Sequence, residues 1–144
     1  MGTPEPESFA DHWIRAWNNR DVEAVLTHYA DDVVFTSPTA RRVVPARGGT
    51  IYGKHELREY WTRALRGNQG LHFELVGVYQ GVDTIVLHYR NQVGAFVNEV
   101  LTFRDGLVAV GHATHRRAPD EDAAGEPQAR ASGSAFEGIR RDVG

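Results

Sequence analysis

Cysteine is absent from this 144-residue chain, which excludes a disulfide framework, a thiolate nucleophile and cysteine-ligated zinc or iron–sulfur sites. Long apolar runs are missing too, since nothing approaches the roughly 20 residues that a membrane helix needs. The first residues, Met1-Gly2-Thr3-Pro4-Glu5-Pro6-Glu7, lack the basic and apolar regions of a signal peptide. These absences lead to the expectation of a cytoplasmic protein with no membrane contact. Charge of one sign is scarce: the formal net charge is −3, so no general attraction to nucleic acid is expected, and no basic-aromatic pattern suggests one. There is no glycine-rich phosphate loop and no nucleotide fingerprint. Seven histidines are present, but the closest pair, His112 and His115, would project from opposite faces of a strand. Neither a metal nor a cofactor is therefore expected.

What is present is one core's worth of apolar residues, 41% of the chain, arranged first with a helical and then with a strand period. Ser8 and Asp11 form a variant capping box before Phe9, Trp13, Ala16 and Trp17, which share one helical stripe. Asp21 caps a second helix with Val22, Val25, Leu26 and Tyr29 on one face. Asp31-Asp32 breaks it, and Val33-Val34-Phe35 forms a strand ending at Ser37-Pro38. Residues 39–52, with Arg41, Arg42, Arg47, Pro45 and Gly48-Gly49, read as a mobile, lid-like loop that could hold a short strand at Val43-Val44. A third helix follows Gly53-Lys54, with Leu57, Tyr60, Trp61, Ala64 and Leu65 at helical spacing. Four strand-like segments then cover 71–79, 82–91, 95–104 and 107–115, punctuated by Gly81, Gly94 and Asp105-Gly106 as in an antiparallel meander. Helices followed by strands imply an α+β fold: three N-terminal helices in the concave face of a strongly curved, mainly antiparallel sheet, a cone-shaped α+β barrel. The expected organisation is a flexible N-terminus at 1–7, one domain at 8–116 and a disordered tail at 117–144, where few large apolar residues remain.

Two stretches carry a family resemblance. The helix-to-strand passage Tyr29-Ala30-Asp31-Asp32-Val33-Val34-Phe35-Thr36-Ser37-Pro38 and the strand-turn Asn98-Glu99-Val100-Leu101-Thr102-Phe103-Arg104-Asp105-Gly106 resemble the SnoaL-like, or nuclear transport factor 2-like, superfamily. Its members include ketosteroid isomerases, polyketide cyclases, small dehydratases and epoxide hydrolases. The resemblance implies that Glu99 holds the position of a carboxylic acid that, kept protonated by an apolar site, donates a hydrogen bond to a substrate oxyanion. It also implies that His115 lies near the pocket mouth. Two departures matter: Ser37 stands where ketosteroid isomerases have an aspartate base, and Trp13 stands for their first-helix tyrosine. Steroid isomerisation by that mechanism is therefore not expected.

Glu99 is the first functional candidate on its own residues as well, because Val97, Leu101 and Phe103 share its strand face and desolvation raises a carboxyl pKa. A salt bridge to Arg90 is the structural alternative. Its neighbours depend on the turn at Gly94. A two-residue Val93-Gly94 turn sets His88 opposite Glu99 and Arg90 opposite Val97, whereas one more loop residue puts Leu87 and Tyr89 on that face. The first register is favoured because it aligns the Gly94 turn with its family counterpart, making His88 and Arg90 catalytic partners of Glu99. Trp13, Phe35, Ser37, Tyr60, Trp61, Tyr89, Leu101 and His115 complete the expected ligand-binding set. Ser37 has no adjacent histidine in sequence to activate it, and its hydroxyl also suits local backbone bonding.

The expected activity is that of a cofactor-independent enzyme acting on a small hydrophobic carbonyl or polyketide-like compound by acid/base chemistry and oxyanion stabilisation, of isomerase, cyclase or hydrolase type. The alternative is a non-catalytic small-ligand-binding or protein-interaction module. Either suits a homodimer through a second apolar sheet side made by Ile85, Leu87 and Tyr89 with Phe96 and Val100.

Overall fold

The computed structural model describes residues 2–117, so the expected tail at 117–144 lies almost wholly outside the described residues. Helix α1 (Pro6–Asn18) begins before Ser8, because Pro6 suits a first helical turn and Glu5 accepts hydrogen bonds from the Glu7 and Ser8 amides. Glu5 is thus the cap that the sequence assigned to Ser8. Asp21 caps α2 (Val22–Leu26) through a 3.0 Å bond from the Ala24 amide. Strand β1 (Tyr29–Thr36) takes Tyr29 out of the helix to which its spacing had assigned it. Its first buried residues are Tyr29 and Ala30, and the register shift that follows leaves Asp31 and Asp32 exposed.

The expected lid at 39–52 is ordered structure. Ser37 caps a short helix α3 (Pro38–Val43), a 3-10 turn spans Pro45–Arg47, and β2 (Thr50–Tyr52) pairs with β1. Val43-Val44 is therefore helix end rather than strand. Gly48 and Gly49, at φ 62° and 93°, supply the left-handed turn that returns the chain to β2. Helix α4 (Gly53–Arg66) buries Leu57, Tyr60, Trp61, Ala64 and Leu65. Strands β3 (Glu74–Gly81), β4 (Thr84–Arg90), β5 (Phe96–Arg104) and β6 (Leu107–His115) form the meander. The order is β2-β1-β6-β5-β4-β3, an open six-stranded sheet in which only the β1–β6 pairing is parallel.

The β4–β5 register corrects the favoured turn. Asn91 and Ala95 close a three-residue loop: the Asn91 amide donates to Ala95 O at 2.9 Å, while the Asn91 side chain accepts from the amides of Val93 and Ala95. Gly94 takes φ 82°, the left-handed residue such loops need. Leu87 consequently faces Glu99 and Tyr89 faces Val97, while His88 pairs with Asn98 and Arg90 with Phe96. Ile85, Leu87 and Tyr89 are buried in the concave face and do not contribute to a second apolar side. The convex face instead mixes Val86, Phe96 and Val100 with His88, Asn98 and Thr102, so the patch expected for a dimer contact loses three of its five members.

Burial alternates cleanly along β5, with Val97, Glu99, Leu101 and Phe103 inward. Opposite Leu101 on β6 stands Gly111, where a Cβ would lie 3.2 Å from Leu101 Cδ2 and 3.3 Å from Phe35 Cδ1. The missing side chain lets these two core residues meet. Gly111→Val is expected to lower stability by about 1–3 kcal/mol through overpacking, measured by urea unfolding, and an unchanged midpoint would contradict this packing.

Candidate functional site

The inward residues of β5 define the site because they face helices that are unusually rich in aromatics. Trp13 and Trp17, one turn apart on α1, meet Trp61 from α4 and Phe73 from the loop before β3. Asn18 fixes that loop reciprocally, accepting from the Phe73 amide at 2.8 Å and donating to its carbonyl at 2.9 Å. The ring of Phe73 thereby stacks on Trp13 at 6.0 Å and packs at a tilt against Tyr89 at 4.4 Å between centroids. Phe73 falls in the segment 71–79 expected as strand, whereas β3 begins at Glu74, and it was not among the expected ligand-binding residues. The signal that could have found it is the alternation of buried Leu71 and Phe73 about exposed His72.

Within this aromatic shell lies Glu99, 4% exposed. The Tyr89 hydroxyl donates to Glu99 Oε1 at 3.0 Å. Tyr89 reaches it diagonally, its own strand partner being Val97. Burial dominates the acid's ionisation and pushes the Glu99 carboxyl from 4.5 up to about 7, with the Tyr89 bond pulling the other way. Tyr89, Tyr29 and Tyr60 are all raised above the usual phenol value, chiefly by burial and further by the charge of Glu99. Trp13 donates its indole N–H to the Tyr29 hydroxyl at 3.0 Å. The Trp61 indole N–H is buried without a partner among the described residues, a donor available to a water or ligand oxygen.

A cavity of about 10 Å³ touches Glu99, Tyr89, Trp13, Trp61, Phe35 and Ser37, with Trp17, Phe73, Ala113 and His115 also on its wall. That is room for about one water molecule. Ser37 has a structural duty there: its hydroxyl accepts from the Thr39 amide at 3.1 Å and contacts the Tyr60 hydroxyl. His115 stands in the wall, where burial and the charge of Arg42 lower its pKa to about 4. An imidazole so placed stays uncharged at pH 7.

The structure does not bring all the expected residues together. His88 bonds Asn98 Oδ1 at 2.8 Å and stacks on Phe96, and Arg90 pairs with Glu74 at 2.8 Å. Both lie on the convex side, so neither the catalytic partnership with Glu99 nor a Glu99–Arg90 salt bridge exists. Leu101 is fully buried, and Tyr60 lies behind the cavity wall, its hydroxyl meeting Ser37 and its ring Phe35. Tyr29, assigned to a helix, contributes its hydroxyl to the network instead. Among the described residues no group of three or more histidine, aspartate or glutamate side chains is placed to hold a metal ion, and no helix is long and apolar enough to cross a membrane.

The ionisations have opposite consequences for stability. Between about 4.5 and about 7 the folded chain holds a proton on Glu99 that the unfolded chain releases, so this contribution falls as pH rises. His28 and His115, lowered from 6.5 to about 4 chiefly by burial, contribute in the other direction over an overlapping range. Comparison with Glu99→Gln isolates the first effect. The stability advantage of wild type over the variant is expected to decline as pH rises from 4.5 to 7, by on the order of 3 kcal/mol, and then to level off. A difference that does not vary with pH would contradict the desolvated acid.

Comparison with known proteins agrees with this architecture. The family profile of the SnoaL-like domain matches residues 10–122. A SnoaL-like protein of unknown function from Burkholderia thailandensis is 35% identical, with 78% of this chain and all of that chain covered at a TM-score of 0.73. TerC, co-crystallised with polyporic acid, is 17% identical over 76% of this chain and 90% of its own, with a TM-score of 0.64. A candidate polyketide cyclase from Sinorhizobium meliloti is 14% identical over 74% of this chain and 94% of its own, with a TM-score of 0.62. No curated protein matches the chain. With an acid at the base of an aromatic cone, helices across the concave face of an open six-stranded sheet, and a family profile spanning most of its length, the chain belongs to the SnoaL-like family.

Proposed function

We propose that this protein is an acid/base enzyme for a small aromatic or polyketide-like carbonyl compound, with Glu99 as the proton-transferring group. The observation that carries this reading is the Glu99 carboxyl, buried with one hydrogen bond and a pKa raised to about 7. Such a group is matched to proton transfer near neutral pH. As the neutral acid it donates a hydrogen bond to a carbonyl oxygen and stabilises the charge that develops there on enolisation. As the carboxylate it accepts a proton from an acidic carbon or hydroxyl. Tyr89 orients the carboxyl, and the rings of Trp13, Phe73 and Trp61 favour a planar, apolar substrate. The co-crystal of TerC with polyporic acid supports small-molecule recognition by this fold, and the candidate polyketide cyclase supports a carbonyl substrate.

The cavity of about 10 Å³ requires the rings to move apart before a substrate enters. That volume also favours a second reading, a filled core that serves a binding or interaction module without turnover.

Solvent-deuterium exchange at the carbon next to the carbonyl, followed by NMR over a panel of aromatic ketones and β-diketones, separates the two. Wild type is expected to accelerate exchange for at least one compound, and folded Glu99→Gln to slow it by roughly 10²–10⁴-fold. A donor role makes the rate fall as pH rises through about 7, and a base role makes it rise. Undiminished exchange in the variant removes Glu99 from the mechanism, and no exchange with any compound favours the filled core.

A further inference from the structure

Ser37, Ala113 and His115 line the buried cavity on one side and an outer cleft of about 520 Å³ on the other. Two of these three side chains are small, so the partition is thin and His115 is its one bulky member. The cleft has the volume of a small-molecule site, which the inner cavity lacks. Thr36, Thr50, Thr114, Gly48 and Gly49 line it, and among the described residues no acidic side chain does. Arg41 stands at its edge with its stem packed over Gly49, where a Cβ would lie 3.4 Å from Arg41 Cβ and from the Ser37 carbonyl.

The charge in this region is uncompensated. The arginine–carboxylate pairs among the described residues use Arg15, Arg47, Arg58, Arg90 and Arg104. Arg41 and Arg42, neighbours on α3, have no such partner there. Arg42 is half-buried, its Nε lacks a hydrogen-bond acceptor, and its Nη2 reaches only Thr39 Oγ1 at 3.5 Å. Burial lowers its pKa, and its charge is felt by Tyr60 and by His115 in the partition. Arg42 does not line the cleft, but its charge reaches His115 in the partition, while Arg41 does line it, and the planar fork of a guanidinium suits a carboxylate.

We propose that the outer cleft is an anion subsite, where Arg41, reinforced by the charge of Arg42 behind the partition, holds the carboxylate of an aromatic acid whose apolar end passes the Ser37–Ala113–His115 partition toward Glu99. This rests on the acid/base reading of the same cavity and narrows its substrate class to aromatic compounds bearing a carboxylate. The α3 turn then fixes substrate orientation, and the aromatic shell accepts the uncharged end. The threonine hydroxyls supply further donors, and among the described residues no acidic side chain in the cleft competes for the Arg41 guanidinium.

The test titrates the full chain with 2-naphthoate and, separately, with 2-naphthalenemethanol, which shares the ring system without the charge. Tryptophan fluorescence reports affinity, and the arginine Nε–H resonances of ¹⁵N-labelled protein report the contact. The acid is expected to bind at least about tenfold more tightly than the alcohol, to shift the Arg41 resonance, to lose its advantage in the exposed-site variant Arg41→Met and to lose part of it in Arg42→Met. The advantage should persist in Glu99→Gln, so the subsite can stand even if Glu99 proves catalytically inert. Equal affinity of the two probes, absence of binding by the acid, or an advantage that survives folded Arg41→Met and Arg42→Met overturns the subsite. Deuterium exchange by the same wild-type preparation would show that the acid/base reading survives that result.

Discussion

The structure depends on keeping water away from one carboxyl group. Glu99 sits near the centre of β5 on its inward face, and among the described residues its hydrogen-bond partner is the Tyr89 hydroxyl. Three tyrosines nearby are pushed toward their neutral forms by burial and by the acid's charge. Burying a charge without a cationic partner is expensive, and the carboxyl responds by holding its proton to higher pH. Much of the surrounding architecture serves that desolvation. Trp13 and Trp17 descend from α1, Trp61 from α4, and Asn18 pins the loop that carries Phe73 against Tyr89.

The same packing stabilises the fold and limits the site. Rings at interior contact distances bury much apolar area and leave a cavity of about 10 Å³, so access to Glu99 and a closed core are competing states of one set of side chains. The partition made by Ser37, Ala113 and His115 is where that competition is weakest, because it is thin and opens onto solvent. Ser37 is held by the first turn of α3 and by Tyr60, and His115, kept uncharged by burial and by Arg42, is the bulky residue of the partition.

Local patterns made most of the fold legible. The aromatic and aliphatic stripe of α1, the Asp21 cap, the α4 repeat and the alternation along β5 each rest on contacts within a few residues, and each is present. Glu99 was legible for the same reason, since its flanking apolar residues share its face. What failed depended on exact counting or on distant contacts. One extra loop residue at Gln92-Val93-Gly94 reverses the faces of His88, Tyr89 and Arg90. Asn91, which sets that count through its side chain, gives no periodic signal. Tyr29 follows the helical spacing of α2, yet pairing beside β6 makes it strand. The stretch after Ser37 looked like a lid because of its glycines and Pro45, but the Ser37 cap and the β1–β2 pairing order it. The partition is a product of tertiary packing and has no local signature.

The most direct test of the desolvated acid is a ¹³C NMR titration of the Glu99 side-chain carboxyl in the folded protein. A midpoint near 7, moved by Tyr89→Phe further up as the one stabilising hydrogen bond to the carboxylate is lost, is the result this account predicts. A midpoint near the ordinary value of 4.5 would show that water reaches the carboxyl, and would contradict both the sealed aromatic shell and the catalytic role built on it.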